Sequence, residues 1–135
     1  MDRKDVRKMA TLENFRAFNF SEGLASVSIT NNGVTFNKSV VLKLGCPEHV
    51  KLLFDDDGKQ FAIQCCDEHA ENAAPFFKKR DNGVISVRWN SRDLLNTFRD
   101  LMGWNLHMKG YKVDGILLRE EKAMLFDLKE AKELS

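Results

Sequence analysis

His49-Val50-Lys51-Leu52-Leu53-Phe54-Asp55-Asp56-Asp57-Gly58-Lys59-Gln60-Phe61-Ala62-Ile63-Gln64-Cys65-Cys66 decides how this chain folds. Asp57-Gly58 at its centre suits a two-residue hairpin turn, whose central positions need a positive φ that these residue types tolerate. Residues whose numbers sum to 115 then face each other, so Val50 meets Cys65, Leu52 meets Ile63 and Phe54 meets Phe61. The opposite face carries Lys51 with Gln64, Leu53 with Ala62 and Asp55 with Gln60. A slip of one residue would carry the phenylalanines to the polar side, so the register is determined.

Upstream, Ala25, Val27 and Ile29 alternate with Ser26, Ser28 and Thr30 before Asn31-Asn32-Gly33, a second hairpin signal. With Asn32-Gly33 as the turn, Ile29 falls opposite Phe36. Asn37 is placed to cap a short helix through Leu44, with Gly45 as its left-handed stop and Pro47 beyond; the β-branched pair Val40-Val41 leaves a strand as the alternative. Downstream, 67–83 reads as a loop with one helical turn and Val84–Trp89 as a strand. Ser91 then caps a helix whose Leu94, Leu95, Phe98, Leu101 and Met102 form one apolar stripe ended by Gly103. Tyr111–Arg119 and Lys122–Phe126 form a last hairpin about Glu120-Glu121, and Asp127 opens a C-terminal helix. Met1–Lys8 reads as a frayed terminus, and Met9–Phe20 as a short element packing its phenylalanines on the core. There is no long internal repeat. The expected class is α+β: a mainly antiparallel sheet of hairpins in a single domain over 1–135, one helix at about 91–102, and short helices near 38–44 and 128–134.

A chain of 135 residues that is 43% apolar, with 10 Phe, can fill one core. Its formal charge of +1 supplies no bulk field, so attraction to a polyanion has to come from a local patch. No apolar run approaches the roughly 20 residues of a membrane span, and Met1-Asp2-Arg3-Lys4-Asp5 does not open a signal peptide. Three cysteines without an export signal read as reduced thiols in the cytoplasm. Phosphate-cradling glycine loops, a nucleophile elbow and a His-Glu-x-x-His helix are absent from the sequence.

Two groups of residues carry candidate chemistry. Cys46-Pro47-Glu48-His49 and Cys66-Asp67-Glu68-His69 share a Cys-x-Glu-His pattern, and the central hairpin folds one onto the other. The expectation is no cofactor, with these side chains unliganded and Cys65 a small core residue; the alternative is that Cys46, His49, Cys66 and His69 supply the tetrahedral shell of a structural zinc. Lys78, Lys79 and Arg80 stand beside Phe76 and Phe77, which suits a single-stranded nucleic acid stacked on the rings; the alternative is a basic turn above two core phenylalanines. Arg3, Lys4, Arg7 and Lys8 form another basic run.

Within Val27 to Gln64, Gly33-Val34 after a strand and turn, Phe36-Asn37-Lys38, Leu44-Gly45, Val50-Lys51-Leu52, Asp57-Gly58 and Phe61-Ala62-Ile63 stand in sequence. At these points the stretch resembles the AbrB/MazE family of bacterial transition-state regulators and antitoxins. Asn37 stands where the family usually has Pro, and Val41 where it has Arg. The resemblance implies intertwined dimers whose first hairpins contact DNA, and carries over Lys38 as a basic contact. The expected function is a small non-catalytic binding or self-associating protein, a homo-oligomer that binds nucleic acid as a regulator. The alternative is an enzyme with a small-molecule pocket.

Overall fold

The computed structural model describes residues 11–16 and 23–134. Strands β1 (Ser26–Thr30) and β2 (Gly33–Phe36) lead into helix α1 (Lys38–Lys43), then β3 (His49–Asp55) and β4 (Gln60–Cys65). Short strands β5 (Ala74–Pro75) and β6 (Val87–Trp89) lead into helix α2 (Arg92–Met102), then β7 (Gly110–Leu118) and β8 (Ala123–Asp127). A 3-10 turn at Leu128–Glu130 and strand β9 (Lys132–Leu134) follow. The strands form one antiparallel sheet in the order β5-β3-β4-β8-β7-β1-β2-β6, with β9 added on β7. The fold is α+β, the sheet curled into a half-barrel. Its two end strands approach each other, where the Trp89 Nε1–H donates to the Pro75 carbonyl at 3.0 Å.

The register of β3 with β4 is the expected one, from Val50 opposite Cys65 to Asp55 opposite Gln60. Its loop, however, has four residues rather than two: Lys59 takes a left-handed φ of 53° and Asp55 Oδ1 accepts from the Gly58 N–H at 3.0 Å. In the first hairpin the turn is Asn31-Asn32, so Val27 faces Phe36 and Ile29 faces Val34. The shift is two residues, which preserves the faces. Gly33 lies inside β2 because β6 passes close by: a Cβ there, at φ 142°, would sit 2.7 Å from the Trp89 carbonyl oxygen.

Two expectations are corrected. Asp127 does cap a turn, Oδ1 accepting from the Lys129 N–H at 3.0 Å, but the helix expected at 128–134 stops at Glu130 and Lys132–Leu134 is a strand. The reason is β7, whose residues from Gly115 onward pair with β8 while its first residues leave an open edge that β9 fills. Phe15 is 72% exposed rather than packed on the core. The terminus 1–8, together with Phe18 and Phe20, lies outside the described residues.

The structure also shows a repeat that the sequence conceals. β1-β2-α1-β3-β4 and β5-β6-α2-β7-β8 have the same order of elements. Both helices stop at a left-handed glycine, Gly45 and Gly103, and both following hairpins turn through four residues ending in a left-handed lysine, Lys59 and Lys122. A shift of 63 residues carries Leu53 opposite Ala62 onto Ile116 opposite Leu125, and Phe54 opposite Phe61 onto Leu117 opposite Met124. Across the halves, β2 pairs with β6 and β4 with β8, both antiparallel, as a two-fold axis between them requires. Strand pairs of the two halves alternate through the sheet, so the halves are interleaved.

Inward-facing aromatics fill the curl. Phe61 stacks on Phe126 at 4.7 Å between ring centres and meets the edge of Phe98 from α2 at 5.0 Å. Phe36 contacts Trp89, Phe76 and Phe126. α2 carries Leu95 and Phe98 into this core, and Ser91 Oγ caps it by accepting from the Leu94 N–H at 3.2 Å. Asn37 ties the first half together: its Oδ1 accepts from the N–H groups of Ser26 and Val40, and its Nδ2 donates to Leu24 O and Ser26 Oγ. Asn37→Ala is expected to cost about 2 kcal/mol, the sum of a lost cap and a stranded strand N–H. Urea denaturation followed by circular dichroism checks it; a loss under about 0.5 kcal/mol contradicts the role.

Candidate nucleic-acid interface

Side chains alternate faces along a strand, so the outward residues of adjacent strands fall into cross-strand rows. On the outer surface where β2 meets β6, one row reads Lys132, Lys112, Ser28, Thr35, Arg88 on β9, β7, β1, β2 and β6. Each residue is the ladder partner of the next. The three cations are exposed and the two hydroxyl residues half-buried. At roughly 4.8 Å per strand the row is at most about 19 Å long. It contains no carboxylate, and among the described residues none of its cations belongs to an ion pair.

Local contacts hold the Arg88 end of the row in place. Arg88 Nη2 donates to the Asn32 carbonyl at 3.0 Å, fixing the guanidinium beside the tip of the first hairpin. Arg99 Nη2 donates to Asn31 Oδ1 at 2.8 Å on the same turn. Lys112 and Lys132 stand directly opposite each other, a like-charge pairing that costs a sheet stability. Such a local violation of sheet design is characteristic of functional positions. Chemically, the row offers fixed positive charge and hydroxyl donors to a line of phosphate oxygens.

The residues singled out from sequence are placed differently. Lys38 is exposed at the first position of α1. Lys78, Lys79 and Arg80 are exposed on the loop between β5 and β6, and Lys78 and Lys79 edge an open cleft of about 560 Å³ with Glu48, His49 and Phe77. Phe76 is buried against Phe36 and Trp89, so only Phe77 is partly accessible there. The strand pairing links neither Lys38 nor the 78–80 run to the row on β9-β7-β1-β2-β6.

The zinc candidates come together only in part. The Cys66 N–H donates to the His49 carbonyl at 3.1 Å, as the hairpin register requires. Cys46, His49 and Cys66 line a shallow cleft of about 390 Å³ with Glu48, Asp67 and Glu68. His69 turns away, its side chain 86% exposed and its Nε2 3.3 Å from Glu68. Among the described residues no three His, Cys, Asp or Glu side chains are grouped to hold a metal ion. The three thiols are unpaired, and burial pushes that of Cys65 up, so it stays protonated and a poor nucleophile at neutral pH.

Sequence reading missed Lys112, Lys132 and Arg88 because they are far apart in the chain and become neighbours only through strand pairing. The available signal was a lysine at an outward position of the last hairpin. No helix among the described residues is long and apolar enough to cross a membrane. No family model, curated protein or solved structure matches this chain.

Proposed function

We propose that this chain is a non-catalytic nucleic-acid-binding protein that docks a phosphate backbone along Lys132, Lys112, Ser28, Thr35 and Arg88. The observation that carries the reading is the row itself: exposed cations and half-buried hydroxyl residues, aligned on adjacent strands without a carboxylate. Its centre lies on the first hairpin, β1-β2, the element through which the AbrB/MazE resemblance implies DNA contact. The interleaving of two like halves in one chain also supports that resemblance, whose members interleave two chains.

Phosphate contacts position a nucleic acid without reading its bases, so recognition along this row is independent of sequence. The test is fluorescence anisotropy of a labelled duplex titrated with protein at several salt concentrations. Three phosphate contacts give log K against log salt a slope of about −2.7 for a duplex and about −2.1 for a single strand. A slope near zero, or no binding at the lowest salt, contradicts the reading.

A further inference from the structure

The repeat sets two sites side by side for comparison, one at the end of each helix. In the β3-β4 hairpin, Lys59 sends its Nζ to the Leu101 carbonyl in the last turn of α2, at 3.1 Å. Its own carbonyl accepts from the N–H of Leu128, which is buried. The shift of 63 residues carries Lys59 onto Lys122 and Leu128 onto Cys65, and the backbone bond recurs: the Cys65 N–H donates to the Lys122 carbonyl at 2.9 Å. The side chains depart from this pattern. α1 closes its own end, the N–H groups of Leu44, Gly45 and Cys46 donating to the carbonyls of Val40, Leu42 and Val41. The Leu44 carbonyl is met by the Cys65 thiol at 3.6 Å, so the helix end does not call on Lys122 as α2 calls on Lys59.

At this second site lies a cleft of about 400 Å³. Lys43, Arg119 and Lys122 line it with the half-buried Leu44, Pro47 and Leu117, and Cys65, shorter than the leucine it corresponds to, leaves the space. Among the described residues no carboxylate lines the cleft and none of its three cations belongs to an ion pair. Glu120 and Glu121, at the tip of the same hairpin, are exposed and outside the lining. Cations of one sign around a cleft with apolar walls raise the local concentration of anions.

We propose that this cleft binds a small organic phosphate monoester, its terminal phosphate held by Lys43, Arg119 and Lys122 and its organic body resting on Leu44, Pro47 and Leu117. A monoester carries a charge of about −1.5 to −2 near neutral pH and presents three terminal oxygens, one for each cation. A diester, the unit of a nucleic-acid backbone, has a single charge and two free oxygens, so it matches the cleft less well. The volume lies within the range of about 300–1,000 Å³ usual for small-molecule sites. The site is separate from the Lys132–Arg88 row and does not depend on the proposed function.

Titration with phenyl phosphate, followed by backbone amide chemical shifts, tests the site, with methyl phenyl phosphate as the matching diester. Saturable changes are expected at Lys43–Gly45, Cys65 and Leu117–Lys122, and weaker binding of the diester by about tenfold. Lys122→Gln and Arg119→Gln, checked for folding by circular dichroism, each weaken phenyl phosphate about tenfold while keeping the wild-type salt slope for a duplex. Lys59→Gln, at the equivalent position, lowers the melting temperature and leaves phenyl phosphate binding unchanged. No saturable change up to about 10 mM overturns the proposal. So does a diester bound as tightly as the monoester, or a response centred on Lys59 and Leu101. A failure of duplex binding with phenyl phosphate binding intact counts against the proposed function alone.

Discussion

Replacing Phe61 by alanine is expected to destabilise the fold by about 3–5 kcal/mol. Phe61 is fully buried on β4, between Phe54 on β3, Phe126 on β8 and Phe98 on α2. It is therefore the point where both halves of the repeat and the longer helix meet. Truncation removes the transfer free energy of the ring and leaves a cavity that rigid strands on either side cannot close. Folded domains have only about 5–15 kcal/mol to lose, so the variant should be largely unfolded at temperatures the wild type tolerates. Leu53→Ala on the outer face is expected to cost under about 1 kcal/mol, because a half-exposed side chain has less transfer free energy to lose. Urea titrations of both variants supply the comparison, and similar midpoints would contradict the placement of the core.

Reversing two charges of the cationic row has the largest expected effect on binding. Lys112→Glu with Lys132→Glu removes two of three phosphate contacts and adds repulsion, so the salt slope for a duplex should fall from about −2.7 to about −0.9 or vanish. Both side chains are exposed and neither forms an ion pair among the described residues, so the fold is retained. Lys132→Glu alone separates function from stability. It turns a like-charge cross-strand pair into an opposite-charge pair, which should stabilise the protein by a few tenths to about 1 kcal/mol while weakening binding. Measuring melting and anisotropy on the same sample checks both signs; a variant that both melts lower and binds as tightly contradicts the assignment.

Local signals made much of the fold legible. Alternation of apolar residues around Asp57-Gly58 gave the correct register for β3 and β4, because parity alone decides which side chains enter the core. Asn37, Ser91, Gly45 and Gly103 marked helix ends through hydrogen bonding and left-handed φ, both properties of single residues. What could not be read depends on pairing between distant segments. Lys132–Leu134 has helical capping upstream, yet the open edge of β7 draws it into the sheet. The repeat is invisible because its halves share positions of burial rather than residue types: Phe61 corresponds to Met124, and Ile63 to Phe126. The cationic row is hidden for the same reason, its members contributed by strands far apart in the chain. Clustered runs such as Lys78-Lys79-Arg80 are conspicuous in a sequence, whereas a row across strands leaves only single cations at outward positions.

Backbone amide chemical shifts, followed by NMR as a short DNA duplex is added, locate the bound surface most directly. The predicted result is a set of changes concentrated at Ser28, Thr35, Arg88, Lys112 and Lys132, diminishing with salt. Changes confined to Lys78–Arg80 or to Lys38 would contradict the assignment of nucleic-acid binding to this row.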